Sequence, residues 1–427
     1  MSTKNLHIGI FGLGTVGTGV VELLMKKKDV PGNHRFILEK VVVKNPNKKR
    51  EIDVPPSFLS LNPDDILNNP AIDTVIEVIG GIHPAKEFVI QALEKGKNVI
   101  TANKALLASY GSEIFNKAAE NKCYLGVRAS NIAAYRIIES LTTSPSKIEK
   151  LIGIFNGTCN YILTEMEKKG ESFSAILKRA QEMGYAEADP INDINGYDTA
   201  HKLIVLLGIS LGYFPPIKSV YTEGINNITL QDVLFARELG YRIKLVAIAK
   251  REEEVLEARV HPVLIPKEKW LARLEGIENG VEVRDEIGLE IGMQAPGAGK
   301  YPTATAIMED LICISRGRGL FFPPRKSSIT LKPIEKIETK YYLKFHAVDK
   351  AGVLAKIASI LGDYNISIES VIQKGKGDKR KENGMVPVIM LTHRSREDNI
   401  QKALKKINDL PEVEKNPLLI RVEEGIF

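Results

Sequence analysis

The sequence has few cysteines, no long hydrophobic run and no strong excess of charge of either sign. Its 427 residues include only 3 cysteines, Cys123, Cys159 and Cys313, which are widely separated and form no Cys-x-x-Cys pair. Neither a disulfide framework nor a zinc site is indicated, and we expect reduced, intracellular thiols. The net charge of +6 is too small for the basic surface typical of nucleic-acid-binding proteins.

The longest apolar stretch, residues 203–214, is too short to span a bilayer. The N-terminus reaches an apolar strand pattern by Leu6 without the basic segment and cleavage site of a signal peptide. We therefore expect a cytoplasmic protein that binds neither membrane nor nucleic acid. A composition of 44% hydrophobic and 26% charged residues is typical of globular proteins. At roughly 150 residues per domain, the length predicts two or three domains.

Short β-rich runs alternate with helical patterns in the first third of the chain. The runs cover residues 6–12, 37–43, 74–78 and 99–102, and a helix is predicted over 15–28. This alternation is typical of βαβ units with a parallel sheet. From about residue 148 to 283, longer helices are mixed with strands predicted over 150–155, 245–249 and 258–262, which indicates a second, α+β domain.

A Pro- and Lys-rich segment, 323–340, has the composition of a linker, and a third domain is predicted after it. Its predicted order is strand 341–348, helix 350–363, strand 366–372, strand 387–392, helix 396–410 and strand 418–422. That βαββαβ order is the ferredoxin-like plan. Ser395 and Asp398 have the spacing of a helix N-cap, and the lysine-rich run 374–381 is interpreted as a hairpin loop.

A glycine-rich motif follows the first predicted strand and opens the first predicted helix. Gly12, Gly14 and Gly17 have the G-x-G-x-x-G spacing, with Thr15 and Val16 between the last two. The first glycine permits the tight turn, the second lets a pyrophosphate approach the backbone, and the third lets the helix lie close to the strand. The motif predicts a dinucleotide site, and the alternative is a tight turn without a ligand.

Cations, rather than a carboxylate, follow the second predicted strand. Lys44 comes directly after it, and Lys48, Lys49 and Arg50 are close behind. An acidic residue at this place usually holds the ribose 2′-hydroxyl of NAD. We therefore predict that NADP binds at least as well as NAD, which remains the alternative cofactor. A solvated lysine-rich loop is the other interpretation of 48–50.

Residues 184–202 concentrate four carboxylates and a lysine before a nearly all-apolar helix. Asp198 and Lys202 are spaced to share a helix face where polar surface meets buried surface. A lysine held there can deliver a proton to a carbonyl oxygen as a hydride arrives. An exposed ion pair is the alternative. Lys104 and Gly80 follow two other strands, at the sheet edge where ligands gather, and Gly299 precedes a further predicted helix.

These motifs together resemble the homoserine dehydrogenases, in the monofunctional form with a C-terminal ACT domain. The resemblance covers nearly the whole chain and rests on Gly12–Gly17 with the segments 101–104, 156–162, 184–190 and 297–299. It implies NAD(P)-dependent, reversible reduction of L-aspartate 4-semialdehyde to L-homoserine, in threonine and methionine biosynthesis.

The resemblance also assigns roles to individual residues. It implies that Lys202 is the proton donor, with Asp198 beside it and Lys104 near the substrate, and that Glu187 and Asp193 hold the substrate amino group. The cofactor is then expected at the following residues: Gly12, Gly14, Thr15, Val16, Gly17, Lys44, Gly80, Lys104 and Gly299.

The resemblance implies an α/β protein of three parts. These are a Rossmann-type dinucleotide-binding domain (1–134, with 303–322 packing back on it), an α+β catalytic and dimerisation domain (135–302), and, after the linker, a ferredoxin-like ACT domain (341–427). The ACT domain implies an amino-acid effector, threonine, and a homo-oligomer, dimer or tetramer. The residues implied for the effector are Asp349, Gly352, Val353, Leu354, Asn365 and Ile366.

One stretch, 127–136, departs from the family pattern. Arg128 stands where the family has a glutamate, Ile132, Ala133 and Ala134 replace glycines, and Arg136 replaces a proline. In the family this loop supplies carbonyls to a monovalent cation, commonly sodium, and here a neighbouring cation and restricted φ argue against that metal. The departures leave two alternatives: a catalytically weakened NADP-binding amino-acid sensor, and a dehydrogenase for another small aldehyde.

Overall fold

The computed structural model describes residues 5–26, 35–131, 146–317, 329–373 and 384–425. The chain forms two compact units, each assembled from separate stretches of sequence. The first comprises Met1–Glu149, Asp198–Val220 and Ile277–Ile329, and the second comprises Lys150–Tyr197, Tyr221–Gly276 and Thr330–Phe427. No helix among the described residues is long and apolar enough to cross a membrane.

The strands, in chain order, are β1 (Asn5–Phe11), β2 (Arg35–Val42), β3 (Leu59–Ser60), β4 (Thr74–Glu77), β5 (Asn98–Thr101), β6 (Leu125–Gly126), β7 (Ile148–Ile154), β8 (Tyr221–Thr222), β9 (Tyr241–Glu252), β10 (Val255–Pro266), β11 (Glu278–Asp285), β12 (Glu290–Pro296), β13 (Thr330–Leu331), β14 (Glu338–Thr339), β15 (Tyr341–Val348), β16 (Ile368–Gln373), β17 (Met385–Thr392), β18 (Ser395–Arg396) and β19 (Leu418–Val422).

The helices are α1 (Thr15–Lys26), α2 (Asp64–Leu67), α3 (Ala85–Glu94), α4 (Lys104–Glu120), α5 (Gly157–Lys169), α6 (Phe173–Glu182), α7 (Ile191–Ile194), α8 (Tyr197–Leu211), α9 (Leu230–Glu238), α10 (Trp270–Arg273), α11 (Lys300–Ser315), α12 (Val353–Asp363) and α13 (Glu397–Asn408).

The first unit contains a parallel sheet in the order β3-β2-β1-β4-β5-β6. The chain crosses from β3 to β4 on the other side of β1, so the carboxyl ends of β1 and β4 meet where the strand order reverses. Ligands of open α/β sheets bind at such a switch point. The predicted Rossmann-type sheet is confirmed.

Helix α11, far along the chain, packs against α1 in the same unit. Ala304, Ile307 and Leu311 from α11 share a buried core with Ile8 and Val20. Gly19 permits this approach, because a Cβ there would lie 3.0 Å from Lys300 Cγ and 3.2 Å from Ala304 Cβ.

The second unit contains a sheet in the order β7-β9-β10-β19-β15-β17-β16. Strand β19 lies between β10, to which it is parallel, and β15, to which it is antiparallel. The C-terminal elements, with their own core around Phe345, Ile357 and Ile400, therefore continue the sheet of the preceding region. The βαββαβ order of the C-terminal region is confirmed.

The structure corrects two local predictions in this region. Helix α12 begins at Val353, not at residue 350, because Gly352 takes a left-handed conformation with φ 88° before it. Ser395 is not the N-cap of α13: it pairs with Thr339 in a strand, and Arg396 precedes the helix without a side-chain cap. The Asp398 carboxylate instead accepts two hydrogen bonds from the Arg396 guanidinium. The lysine-rich run 374–381 lies outside the described residues.

Candidate active site

The glycine motif forms a tight turn between β1 and α1. Gly12 has φ 103°, and a Cβ there would lie 2.8 Å from the carbonyl oxygen of Val78. A Cβ at Gly17 would overlap the carbonyl oxygen of Gly12, whereas a Cβ at Gly14 would meet nothing within 4 Å. The turn therefore leaves open space at Gly14, beside the start of α1 at Thr15, where free N–H groups favour an anion. These residues fit a dinucleotide pyrophosphate.

The loop after β2 is organised by its own arginine. The Arg50 guanidinium donates to the carbonyl oxygens of Asn45 at 2.7 Å, Pro46 at 3.1 Å and Lys48 at 2.9 Å. Arg50 thus closes the loop, and Lys44 lies exposed at its start. A cavity of about 410 Å³ beside the loop is lined by both cations and carboxylates, including Lys48, Glu51 and Asp53.

A buried carboxylate at the end of β4 joins the ends of β4 and β5. Glu77 accepts hydrogen bonds from the Ile79 backbone N–H at 2.8 Å and from the Thr101 hydroxyl at 2.6 Å. Burial raises the pKa of this fully buried carboxyl, although its hydrogen-bond donors oppose the shift. Glu77 therefore fixes the turn that leads to Gly80.

Asn103 connects the turn at Gly80 and Gly81 to the start of α4. Its side-chain amide donates to the Gly81 carbonyl oxygen at 2.5 Å, and its side-chain oxygen caps the helix by accepting from the Leu106 N–H at 3.1 Å. Lys104 is consequently the first residue of a capped helix at the carboxyl edge of the sheet, as the sequence predicts.

Lys104, Asp198 and Lys202 come together in the first unit. The Lys104 ammonium lies 3.1 Å from Asp198 Oδ1, and the Lys202 ammonium donates to Asp198 Oδ2 at 2.9 Å. Asp198 and Lys202 are 9% and 8% exposed, so the pair is not a solvated one. Burial lowers the pKa of His201 on the same helix, which keeps that imidazole neutral at pH 7. One carboxylate thus holds two ammonium groups, an arrangement suited to stabilising and protonating a carbonyl oxygen.

The stretch that departs from the family pattern is built around a buried ion pair. Arg128 is 5% exposed; its guanidinium donates to Asp310 on α11, and its backbone N–H donates to the same carboxylate at 3.1 Å. Burial raises the pKa of Asp310 to about 6 against the opposing effect of Arg128. Nearby, the Asn131 amide donates to the Lys202 carbonyl oxygen at 3.2 Å. Residues 132–136, including Arg136, lie outside the described residues.

Gly299 precedes α11 with φ 137°, and the helix begins at Lys300, directly after it. The Lys300 ammonium lies 2.8 Å from both Glu22 Oε1 and Glu51 Oε2. The start of α11 is therefore tied to α1 and to the loop that follows β2.

The two carboxylates expected at the substrate amino group belong to the second unit. Asp193 Oδ1 accepts from the Asn156 amide at 2.7 Å, and Oδ2 lies 3.4 Å from the Thr158 hydroxyl, which donates its proton to the Tyr185 carbonyl oxygen at 2.7 Å. Glu187 is exposed and lies beyond α6 on the segment that leads to Asp193. Asn156 and Thr158 were missed as site residues, although both lie in a motif, 156–162, that carries the resemblance.

The residues expected to hold an effector surround the turn before α12 and the end of that helix. Gly352 and Asn365 have φ 88° and 58°, Val353 and Ile366 are buried, and Leu354 is 37% exposed. Asp349 Oδ1 accepts a hydrogen bond from the Gln373 amide at 3.3 Å.

Comparison with known proteins gives concordant matches along the chain. Family profiles match for the homoserine dehydrogenase NAD-binding domain at residues 12–128, homoserine dehydrogenase at 135–312 and the ACT domain at 341–412. The homoserine dehydrogenase of Pseudomonas aeruginosa is 39% identical over 99% of both chains, and that of Bacillus subtilis is 35% identical over 98% of this chain and 99% of its own.

A crystal structure of a homoserine dehydrogenase from Thiobacillus denitrificans superposes with a TM-score of 0.91, at 39% identity and 99% coverage of both chains. The order of elements, the glycine turn and the full-length matches all indicate the same family. The chain belongs to the homoserine dehydrogenase family and is an NAD(P)-dependent oxidoreductase with a C-terminal ACT domain.

Proposed function

We propose that the protein catalyses the reversible reduction of L-aspartate 4-semialdehyde to L-homoserine. The observation that carries the proposal is the bridging of the Lys104 and Lys202 ammonium groups by the largely buried Asp198 carboxylate. Two cations held by one carboxylate at the edge of a dinucleotide-binding sheet suit a reaction in which negative charge develops on an aldehyde oxygen.

A bound nicotinamide cofactor supplies the hydride that adds to the aldehyde carbon. Lys202 donates a proton from its ammonium to the carbonyl oxygen, which gives the alcohol and completes the two-electron reduction. Asp198 fixes the direction of that ammonium through the 2.9 Å hydrogen bond. Lys104 adds a second positive charge on the other carboxylate oxygen.

Asp193 and Glu187 are proposed to bind the substrate ammonium. The 2.7 Å hydrogen bond from the Asn156 amide supports this role for Asp193, because it orients the carboxylate. Exposed Glu187 is the more adaptable of the two.

For the cofactor, we propose that NADP binds at least as well as NAD, with Lys44 near the 2′-phosphate. The exposure of Lys44 at the end of β2 supports this, whereas Arg50 is occupied with its own loop. Titration with both nucleotides tests the preference, and much tighter binding of NAD would contradict it.

We also propose that an amino acid, threonine, regulates the enzyme at the ACT residues named above, within a dimer or tetramer. The proposed functional divisions remain 1–134 with 303–322, 135–302, 323–340 and 341–427. Threonine should change the turnover rate or the substrate affinity, and unchanged values of both would contradict the proposed regulation. Light scattering tests the assembly, which a monomer would contradict.

The central test is NADPH oxidation with aspartate 4-semialdehyde by the wild-type protein and by Lys202→Ala. We expect turnover by the wild type and a loss of kcat of about 10²- to 10⁴-fold in the variant, since its proton donor is gone. Lys218→Ala, which removes an exposed lysine of the first unit, is the control. Undiminished turnover in Lys202→Ala would refute the donor assignment. NADPH binding without turnover by the wild type would favour the sensor alternative.

A further inference from the structure

Arg421 in β19 is buried, at 2% exposure, where this strand of the ACT region pairs with β10 of the preceding part of the second unit. Its guanidinium donates to both carboxylate oxygens of Glu397, at 2.9 and 2.6 Å, at the start of α13. On the other side it donates to Glu223 Oε2 at 3.1 Å and to the Tyr221 hydroxyl at 3.3 Å. One side chain therefore links an ACT helix to the segment 221–225.

The segment 221–225 is held firmly on both flanks. Tyr221 and Thr222 form β8, which pairs with β10, and the Glu223 N–H donates to the Val260 carbonyl oxygen at 2.8 Å. The Tyr221 hydroxyl donates to Glu223 Oε2 at 2.9 Å, so Arg421 and Tyr221 share the same carboxylate oxygen. Glu223 is thus fixed in position by a guanidinium and a phenol.

The same segment contacts the end of α7 directly. The Ile225 N–H donates to the Ile194 carbonyl oxygen at 2.8 Å, and the Asn226 amide donates to Asn195 Oδ1 at 2.7 Å. A Cβ at Gly224 would overlap the Ile194 carbonyl oxygen, so the two backbones are in close contact. The segment 221–225 therefore lies directly against the end of α7.

Asp193 is the residue immediately before Ile194 on that helix, and its carboxylate accepts from the Asn156 amide and lies 3.4 Å from the Thr158 hydroxyl. A shift of the helix end would move Asp193 relative to those partners. Side-chain hydrogen bonds thus connect Glu397 through Arg421 to Glu223, the backbone leads from Glu223 to Ile225, and the Ile225–Ile194 hydrogen bond reaches the residue next to Asp193.

We propose that Arg421 is a positioning residue for the substrate site, which sets the location of Asp193 through Glu223 and connects it to the ACT domain. This inference rests on the proposed function, in which Asp193 binds the substrate ammonium. Packed hydrogen-bond networks of this kind carry energetic coupling between sites, and breaking one link changes it measurably.

The test removes Glu223, because Arg421 then keeps both bonds to Glu397 and the buried charge stays paired. In Glu223→Ala we expect the KM for aspartate 4-semialdehyde to rise about five- to tenfold, with kcat and the KM for NADPH within about twofold of wild type. Glu223→Gln keeps an oxygen that accepts from Arg421 and Tyr221, so its KM should return to within about twofold of wild type. Glu369→Ala is the matched control, since Glu369 is 34% exposed against 30% for Glu223 and also pairs with a cation, Lys340.

A second variant addresses Arg421 itself. Lysine cannot reproduce the forked contacts, so Arg421→Lys should raise the same KM, and the double variant with Glu223→Ala should be no worse than the more affected single variant. Three results would each overturn the proposal. They are equal KM values for Glu223→Ala and Glu369→Ala, a KM for Glu223→Gln as high as that of Glu223→Ala, and additive effects on KM in the double variant. Absence of turnover in the wild type would instead overturn the proposed function.

Discussion

Arg128 shows how the fold accommodates a residue that departs from its family pattern. The arginine is buried, but Asp310 receives both its guanidinium and its backbone N–H. The charge that the sequence alone left unexplained is therefore paired inside the first unit. Because the partners are 182 residues apart, no local spacing could have predicted the pair.

The Asp310 carboxyl predicts a pH dependence of stability. Burial raises its pKa from 3.8 to about 6, so the folded protein binds this proton more tightly than the unfolded chain does. The resulting stabilisation is fully present below pH 3.8 and is lost as the pH rises through about 6.

Asp310→Asn cannot titrate at this position. The free energy of unfolding of the wild type, minus that of Asp310→Asn, should therefore fall between pH 3.8 and about 6. Urea unfolding at a series of pH values measures the difference. A difference that rises over this interval would mean that the pairing with Arg128 outweighs the burial.

The proximity of Lys202 and Asp198 could be predicted from sequence, because their spacing places them on one helix face beside an apolar run. Glu77 could be seen only as the end of a strand. Its hydrogen bonds go to a turn and to the neighbouring strand, and such contacts depend on the assembled sheet.

At the scale of elements, two glycines in the turn between β1 and α1 have different roles. Gly17 is required by packing, because a Cβ there would overlap the Gly12 carbonyl oxygen, whereas a Cβ at Gly14 would enter open space. The motif predicts the turn from sequence, but only the structure distinguishes the glycine that packing requires from the glycine that borders open space.

Alanine at each glycine should separate these uses. Gly17→Ala should lower the melting temperature by several degrees, since α1 must move away from β1. Gly14→Ala should melt within about 2 °C of wild type but bind NADPH at least tenfold more weakly, because its new methyl group occupies the path of the pyrophosphate. Calorimetry and nucleotide titration measure the two effects. Equal melting losses in both variants would contradict the assignment.

Strands 341–348 and 418–422 could be predicted with their observed limits, since their apolar runs are bounded by turn residues. The place of β19 in the sheet could not be predicted. Periodicity identifies a strand but not its neighbours, and β19 pairs with β10 from a distant part of the chain.

At the scale of the whole molecule, the ACT region completes the large sheet of the second unit. Besides the pairing of β19 with β10, Glu423 beyond that strand contacts Lys150, Lys250 and Arg259. Burial alone would raise the pKa of Glu423, but these three cations hold it at about 2. The ACT region therefore supplies both a strand and a buried counter-charge.

A chain shortened to residues 1–340 should lose solubility, because β10 would lose its strand partner at Val263 and Leu264 and Arg259, 3% exposed in the full chain, would lose a counter-charge. The soluble fraction and size-exclusion profile measure this outcome. Full-length Glu423→Gln, the control, keeps the strand and removes only the charge, and we expect it to be destabilised by about 3 kcal/mol yet soluble. A soluble, monodisperse 1–340 chain would contradict the prediction.

The position of β19 also has a kinetic consequence. Val263 in β10 gains its parallel neighbour only when Arg421 packs beside it. The entropy cost of closing the long loop between these two residues comes before the favourable free energy of strand pairing. Completion of this sheet thus depends on a contact between residues far apart in the sequence. Until that contact forms, Val263 and Leu264 in β10 can pair with strands of other chains. The protein should refold slowly, with a yield that falls as its concentration rises.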